Sequence, residues 1–244
     1  MLEQSLIPPL LRHFEELGYV TCTEFRTPWA IPDVLAVFPD KEKVAQRLAK
    51  GQKTPLTREL YWEVLGLIPD KGNHTPVEWS RLAESLHLSP SYFRKHILAR
   101  LSRNSYIEVQ QNRCVKINGF HPYCTTLVSV EAKVKNWRRA GDQALRHQHF
   151  VNQAFVALPS QHIGPALRHL KAFEKANIGL FEVDEGGHIL SHHMPEPRPA
   201  IIDTLYYVAL DSLWDKVQDI MLTNAPTELG GNNGNQSSTT MFCT

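Results

Sequence analysis

Two apolar runs that lie far apart constrain this chain more than any other feature. Leu127-Val128-Ser129-Val130 is closed by Glu131-Ala132-Lys133, and the segment from Ile31 to Phe38 carries Pro32-Asp33 near its start. Each is short, rich in branched residues and bounded by turn formers, so each reads as a buried strand. Side chains alternate along a strand, so Glu131 and Lys133 share one side while Ala132 faces the other. An aspartate on a neighbouring strand can meet Glu131 there. Two carboxylates beside a lysine can hold a divalent cation and a proton acceptor together.

The segments around these runs alternate in type. Leu6, Leu10, Leu11, Phe14 and Leu17 recur at helical spacing from Leu2 to the stop at Gly18. Tyr19 to Phe25 reads as a strand. After Leu127–Val134 come a helix from Trp137 to Asn152, a strand from Gln153 to Leu158, a helix from Gly164 to Ala176 and a strand from Ile178 to Val183. Strand, helix, strand, helix, strand is an α/β pattern, here a small mixed sheet flanked by helices. Ile201 to Leu222 is a long amphipathic helix with Ile202, Leu205, Tyr206, Ala209, Leu213, Val217 and Ile220 on one stripe. The Gly-, Asn-, Ser- and Thr-rich tail after Asn224 is expected to be disordered.

The intervening chain has a different character. Lys41 to Lys53 is polar and reads as a linker or short helix, and Leu56 to Ile68 as a helix. Thr75-Pro76-Val77-Glu78 matches a capping box ahead of a helix through Leu86. Ser89 caps a further helix from Pro90 to about Arg103, and a hairpin turns around Gln111-Asn112-Arg113. Helix, helix, short turn, helix, hairpin resembles a winged helix-turn-helix domain over roughly Leu56 to Gly119. The resemblance implies that the second helix of the pair enters the major groove of DNA, presenting Ser91, Tyr92, Arg94, Lys95 and His96, with Arg100 and Arg103 near its end. Arg113 would stand at the wing tip beside a phosphate. Domains of this kind also serve as protein-docking modules, and the sequence leaves that alternative open.

Charge agrees with this placement. The 244 residues carry a formal net charge of +1, but Lys53–Lys116 holds ten Lys/Arg against six Asp/Glu, whereas Glu182–Thr244 holds two against nine. A nucleic-acid surface therefore belongs in the first region. No apolar stretch approaches a transmembrane length, and the N-terminus lacks a basic region followed by an apolar core. The four scattered cysteines, Cys22, Cys114, Cys124 and Cys243, suit free thiols in a reducing cytoplasm. His121 and Cys124 lack a second ligand pair at zinc spacing. His147 and His149, two apart on a helix, read as surface residues, and His192-His193 as part of a Pro-rich turn.

Ile31-Pro32-Asp33-Val34-Leu35-Ala36-Val37, Val130-Glu131-Ala132-Lys133, the helix with Trp137, Ala140, Gln143 and Ala144, and the strand Gln153–Pro159 together resemble the PD-(D/E)xK nuclease superfamily over about residues 1–40 and 125–185. The resemblance implies a restriction-endonuclease-like core in two parts, 1–40 and 123–224, interrupted at 41–122 by the winged helix and followed by a tail, 225–244. It implies that Asp33, Glu131 and the Ala132 carbonyl hold Mg2+ or Mn2+, and that Lys133 orients or deprotonates water if its pKa falls, or neutralises charge in the transition state. Gln143 matches a glutamine that organises such sites, although the tyrosine often found four residues later is His147 here. Glu3, or alternatively Glu24, would supply a further carboxylate. Arg138, Arg139 and Arg146 are placed to touch phosphates. The function implied is a metal-dependent endonuclease on duplex DNA, within a transposition or defence complex whose protein partner selects the target. The alternative is a catalytically silent DNA-binding or protein-docking subunit.

Overall fold

Leu6, Leu10 and Phe14 recur at four-residue spacing, and burying that stripe makes the first segment helical. A 3-10 turn (Glu3–Leu6) leads into α1 (Ile7–Glu16), with Pro in its first turn where no backbone donor is needed. Gly18, at φ 86°, ends it. The computed structural model describes residues 2–23, 25–27, 30–72 and 75–223. Glu24 and the tail expected to be disordered lie outside the described residues.

The chain continues through β1 (Val20–Cys22), β2 (Val34–Pro39) and α2 (Lys41–Ala49), then α3 (Glu59–Leu67), β3 (Val77–Glu78) and α4 (Trp79–Ser85). Next, α5 (Pro90–Tyr92) runs through a π-helical segment (Phe93–Leu98) into α6 (Ala99–Arg103), followed by β4 (Ile107–Gln110) and β5 (Arg113–Lys116). The remainder is β6 (Cys124–Ala132), α7 (Trp137–His147), β7 (Gln153–Pro159), α8 (Gly164–Leu167), α9 (Leu170–Ala176), β8 (Ile178–Val183), β9 (Ile189–His193) and α10 (Asp203–Thr223). No helix among the described residues is long and apolar enough to cross a membrane.

The two apolar runs do pair. Six strands form a mixed sheet in the order β1-β2-β6-β7-β8-β9, in which β2 lies antiparallel to β6 with Val34 opposite Val130 and Leu35 opposite Ser129. β7 and β8 continue in parallel, and β9 closes the sheet antiparallel. Alternation sorts the side chains. Val34, Ala36, Val128, Val130 and Ala132 pack with Leu6 of the 3-10 turn and Leu10 and Phe14 of α1. Leu35, Val37, Leu127, Val156 and Leu180 pack on the other face with Ala140 and Ala144 of α7 and with α10.

Between β2 and β6 the chain builds a three-stranded sheet, β3-β5-β4, and a separate core around Leu56, Trp62, Phe93, Ile97, Leu101 and Tyr106. α10 serves both cores. Leu205, Ala209, Leu213 and Val217 pack on the large sheet, while Tyr207 and Val208 pack against the smaller core. Within the polar stretch Lys41–Lys53, residues Lys41–Ala49 form α2, whose Val44 and Leu48 join the core of the large sheet. Its Arg47 is fully buried, 2.7 Å from the equally buried Asp211 of α10, with the guanidinium 4.0 Å from the Trp214 ring centroid.

Four local readings need correction. Thr75–Glu78 does not cap a helix: Val77-Glu78 is recruited as β3 by Cys114 and Arg113, and the Glu78 carboxylate accepts from Ser80 and Asn112 instead. The expected Gly164–Ala176 helix is two short ones, α8 and α9. The Trp137 helix ends at His147, not Asn152. His192-His193 belongs to β9, where His192 Nε2 lies 2.6 Å from Glu182 of β8.

Candidate active site

The last residues of β6 are covered on both faces. Ala132 points into the α1 core, so Glu131 is forced toward α7 and only 2% of its side chain is exposed. Lys133 follows just beyond the strand end, held by its N–H donating to the Ala157 carbonyl of β7 at 3.0 Å. Its ammonium lies 2.7 Å from Glu131 Oε1, 3.1 Å from the Ala132 carbonyl oxygen and 3.4 Å from Glu3 Oε2. Asp33 stands one residue before β2, next to the Val34–Val130 pair. Its N–H donates to the Val130 carbonyl at 3.1 Å, and its Oδ2 accepts from the Ala132 N–H at 2.8 Å. Antiparallel register thus brings Asp33, Glu131, Lys133 and Glu3 together from three separate stretches of chain.

The charges are unequally treated. Burial pushes the Glu131 carboxyl up to about 7, opposed by the Lys133 hydrogen bond and reinforced by nearby Asp33. Burial also raises Asp33, against the Ala132 N–H and the Lys133 charge. For Lys133 burial acts downward, but Glu131, Asp33 and Glu3 together outweigh it and its pKa rises. The lysine is partly exposed and keeps its charge easily, while the glutamate is sealed in and does not. In this arrangement Lys133 is an ammonium donor at neutral pH, and the lowered pKa that a base would require is not found.

Among the described residues no group of three or more His, Cys, Asp or Glu side chains is disposed to hold a metal. The donor set is smaller but chemically apt. Among the described residues Glu131 Oε2 is buried without a hydrogen-bond partner and faces His147 Nε2 across 3.7 Å, Asp33 Oδ2 accepts from the Ala132 N–H, and the Ala132 carbonyl accepts from the Lys133 ammonium. Two carboxylate oxygens and a carbonyl suit a hard cation that keeps several waters. The Lys133 ammonium already neutralises part of this oxygen cluster.

α7 closes the site from above. Asn136 caps it, accepting from the Arg139 N–H at 3.1 Å, and Ala140 and Ala144 let it sit close to the sheet. Gln143 is half-buried on this helix, and its Oε1 has no partner. One turn later His147 is fully buried, contrary to the surface position expected for it. Its Nδ1 is 3.1 Å from Ser129 Oγ and its Nε2 3.7 Å from Glu131 Oε2. Burial drives its pKa down to about 3, so the ring is neutral. Both residues had a signal in the sequence. Ser129 shares the strand parity of Glu131, and His147 continues the Ala140–Ala144 stripe.

The basic residues of the smaller unit divide. Arg94, Lys95 and Arg103 are exposed and line a groove with Trp79, Pro90 and Ser91. Arg100 instead donates to the Pro55 carbonyl at 3.1 Å and ties the unit's own chain together. Arg113 is exposed as the first residue of β5, opposite Gln110. Arg138 is exposed on α7, its guanidinium 4.6 Å from the Trp137 ring centroid. Cys124 is buried and meets Tyr206 rather than a metal-ligand partner. Comparison with family models, with curated proteins and with solved structures finds no match.

Proposed function

We propose that this chain is a metal-dependent DNA endonuclease of the PD-(D/E)xK, restriction-endonuclease-like type, with the unit between β2 and β6 acting as a winged helix that positions duplex DNA. The observation that carries the reading is the convergence of Asp33, buried Glu131 and Lys133 at one end of two paired strands. Asp33, Glu131 and the Ala132 carbonyl would hold Mg2+ or Mn2+. When bound, the ion supplies Lewis acidity to a phosphate and a more acidic water.

The chain's own groups have separate tasks. Lys133 keeps its positive charge and faces the side where phosphate charge develops, so it stabilises the transition state electrostatically. Glu131, raised to about 7 in the metal-free site, would be drawn back to the ionised form that ligates once a cation sits beside it. Glu3 holds Lys133 from the α1 side. Arg94, Lys95 and Arg103 contact backbone phosphates in the groove, and Arg113 and Arg138 extend the basic surface. A protein partner that selects the target, in a transposition or defence complex, completes the proposal.

Cleavage of supercoiled plasmid and of linear, branched and single-stranded DNA with Mg2+ or Mn2+ tests it. The wild type should nick or cut, and Asp33→Ala and Lys133→Ala should each lose at least about a hundredfold in rate. A wild type as inert as Asp33→Ala on every substrate would turn the reading toward the silent DNA-binding or docking subunit. RNA cut in preference to DNA would change the substrate class.

A further inference from the structure

We infer that His147, held in a single tautomer by Ser129, is the positioning residue that fixes the rotamer of Glu131. The inference rests on Glu131 acting in the proposed site. Ser129, Glu131 and His147 are sealed from solvent, at 0%, 1% and 0% exposure. Ser129 and Glu131 project from the same side of β6, and His147 descends between them from α7. Among the described residues the hydrogen-bond partner of the Ser129 hydroxyl is His147 Nδ1, at 3.1 Å. Among the described residues the buried Glu131 Oε2 and His147 Nε2 have no hydrogen-bond partner, and they face each other across 3.7 Å.

Proton bookkeeping decides the tautomer. If Nδ1 carried the proton, it would donate to Ser129 Oγ, and the serine proton would have no acceptor. With Glu131 ionised, as it is above its raised pKa, the lone pair of Nε2 would then confront a carboxylate oxygen, acceptor against acceptor, in a dry interior. If Nε2 carries the proton, Ser129 donates to Nδ1 and the Nε2–H dipole points at Glu131 Oε2. Every buried polar atom in the line is then matched. At 3.7 Å the last contact is charge–dipole attraction rather than a full hydrogen bond, and slight closure makes it one. Oε2 is thereby turned toward α7, and Oε1 is left at the Lys133 ammonium. A histidine locked on one side and donating on the other fixes a carboxylate much as outer-shell partners fix the ligands of metal sites.

Nitrogen-15 NMR of histidine-labelled protein reads the tautomer directly and without any substrate. The wild type should show an unprotonated Nδ1 and a protonated Nε2 for His147, and Ser129→Ala should erode that preference. A protonated Nδ1 in the wild type overturns the inference. The second measurement is Mn2+ affinity by electron paramagnetic resonance, run with cleavage kinetics. His147→Phe should weaken Mn2+ binding by about ten- to a hundredfold and lower kcat with KM for DNA unchanged. His147→Gln, which can still donate, should recover most of the loss. A His147→Phe protein of wild-type Tm, Mn2+ affinity and kcat refutes the positioning role while leaving the nuclease reading intact. A wild type that neither binds Mn2+ nor cuts DNA overturns the nuclease reading, and the tautomer still decides whether His147 orients Glu131.

Discussion

Glu131→Gln should stabilise this protein increasingly as pH rises, and the structure sets the size of the effect. The Glu131 carboxyl moves from 4.5 to about 7 on folding, chiefly because burial disfavours its charge. At about 1.4 kcal/mol for each pKa unit, that is roughly 3 kcal/mol. The sign follows from proton binding. The folded state holds this proton more tightly than the unfolded state, so the contribution to stability is fully present below pH 4.5 and is lost as pH rises through about 7. Glutamine keeps the shape and cannot titrate. The attraction of Lys133 for the carboxylate is already contained in the net value of about 7, since the lysine holds that value down against burial.

The difference in stability between Glu131→Gln and wild type should therefore grow by about 2–3 kcal/mol between pH 5 and pH 8. For a chain of 244 residues this amounts to roughly 5–10 °C in Tm. Thermal unfolding followed by circular dichroism, at fixed ionic strength across that range, measures it. Parallel Tm–pH curves for the two proteins would refute the argument, because they would mean that Glu131 folds as freely ionised as it is in the open chain.

Three further outcomes follow from the structure. Arg47→Met should cost about 3–5 kcal/mol in denaturant unfolding because it strands the buried Asp211, and adding Asp211→Leu should restore much of that; a double-variant loss equal to the sum of the two single losses would show that the pair is not coupled. Gly179→Ala should destabilise by about 1–3 kcal/mol, since the added methyl meets the Phe155 ring, which stacks on Phe181 with centroids 4.4 Å apart; an unchanged Tm would mean that the stack shifts freely. Under the proposed function, Arg94→Glu with Lys95→Glu should weaken DNA binding and flatten its salt dependence, whereas Arg100→Gln should lower stability without changing the salt slope; an unaltered slope in the double variant would remove DNA from this groove.

What was legible in the sequence was whatever depends on local periodicity. The strands from Val34, Leu127, Gln153 and Ile178 show themselves because both faces are buried, and parity alone put Glu131 and Lys133 on one side. Interactions between distant segments were not legible. Arg47 sits in a polar stretch, and nothing nearby reveals that Asp211 and Trp214 will bury it. β9 carries the polar pair His192-His193, and its place in the sheet depends on β8, where Glu182 holds His192. Thr75–Glu78 satisfied a local rule and was overridden, because strand pairing with β5 satisfied more backbone groups than a cap would. His147 falls between the two cases. Its stripe was visible, but its role required knowing which strand lay beneath α7.

The Arg47 pair matters beyond stability because of where the chain crosses between its two cores. On the outward crossing, the Lys53 carbonyl accepts from Trp214 Nε1 at 3.0 Å, and the Leu56 N–H donates to Asp211 at 2.6 Å. On the return crossing, Tyr123 Oη donates to the Leu210 carbonyl at 2.6 Å, and Phe120 packs on Trp62 and Tyr207. Every one of these anchors except Trp62 of the smaller core involves α10, which itself rests on the large sheet. Swinging the smaller unit would require breaking buried hydrogen bonds on both crossings and exposing a charged pair, so these contacts oppose a hinge between the two cores. Under the proposed function, α10 then sets the span from the Arg94–Lys95 groove to Glu131. DNA held in the groove meets the carboxylates at a set distance along the duplex, and choice of cleavage position becomes a property of how α10 packs.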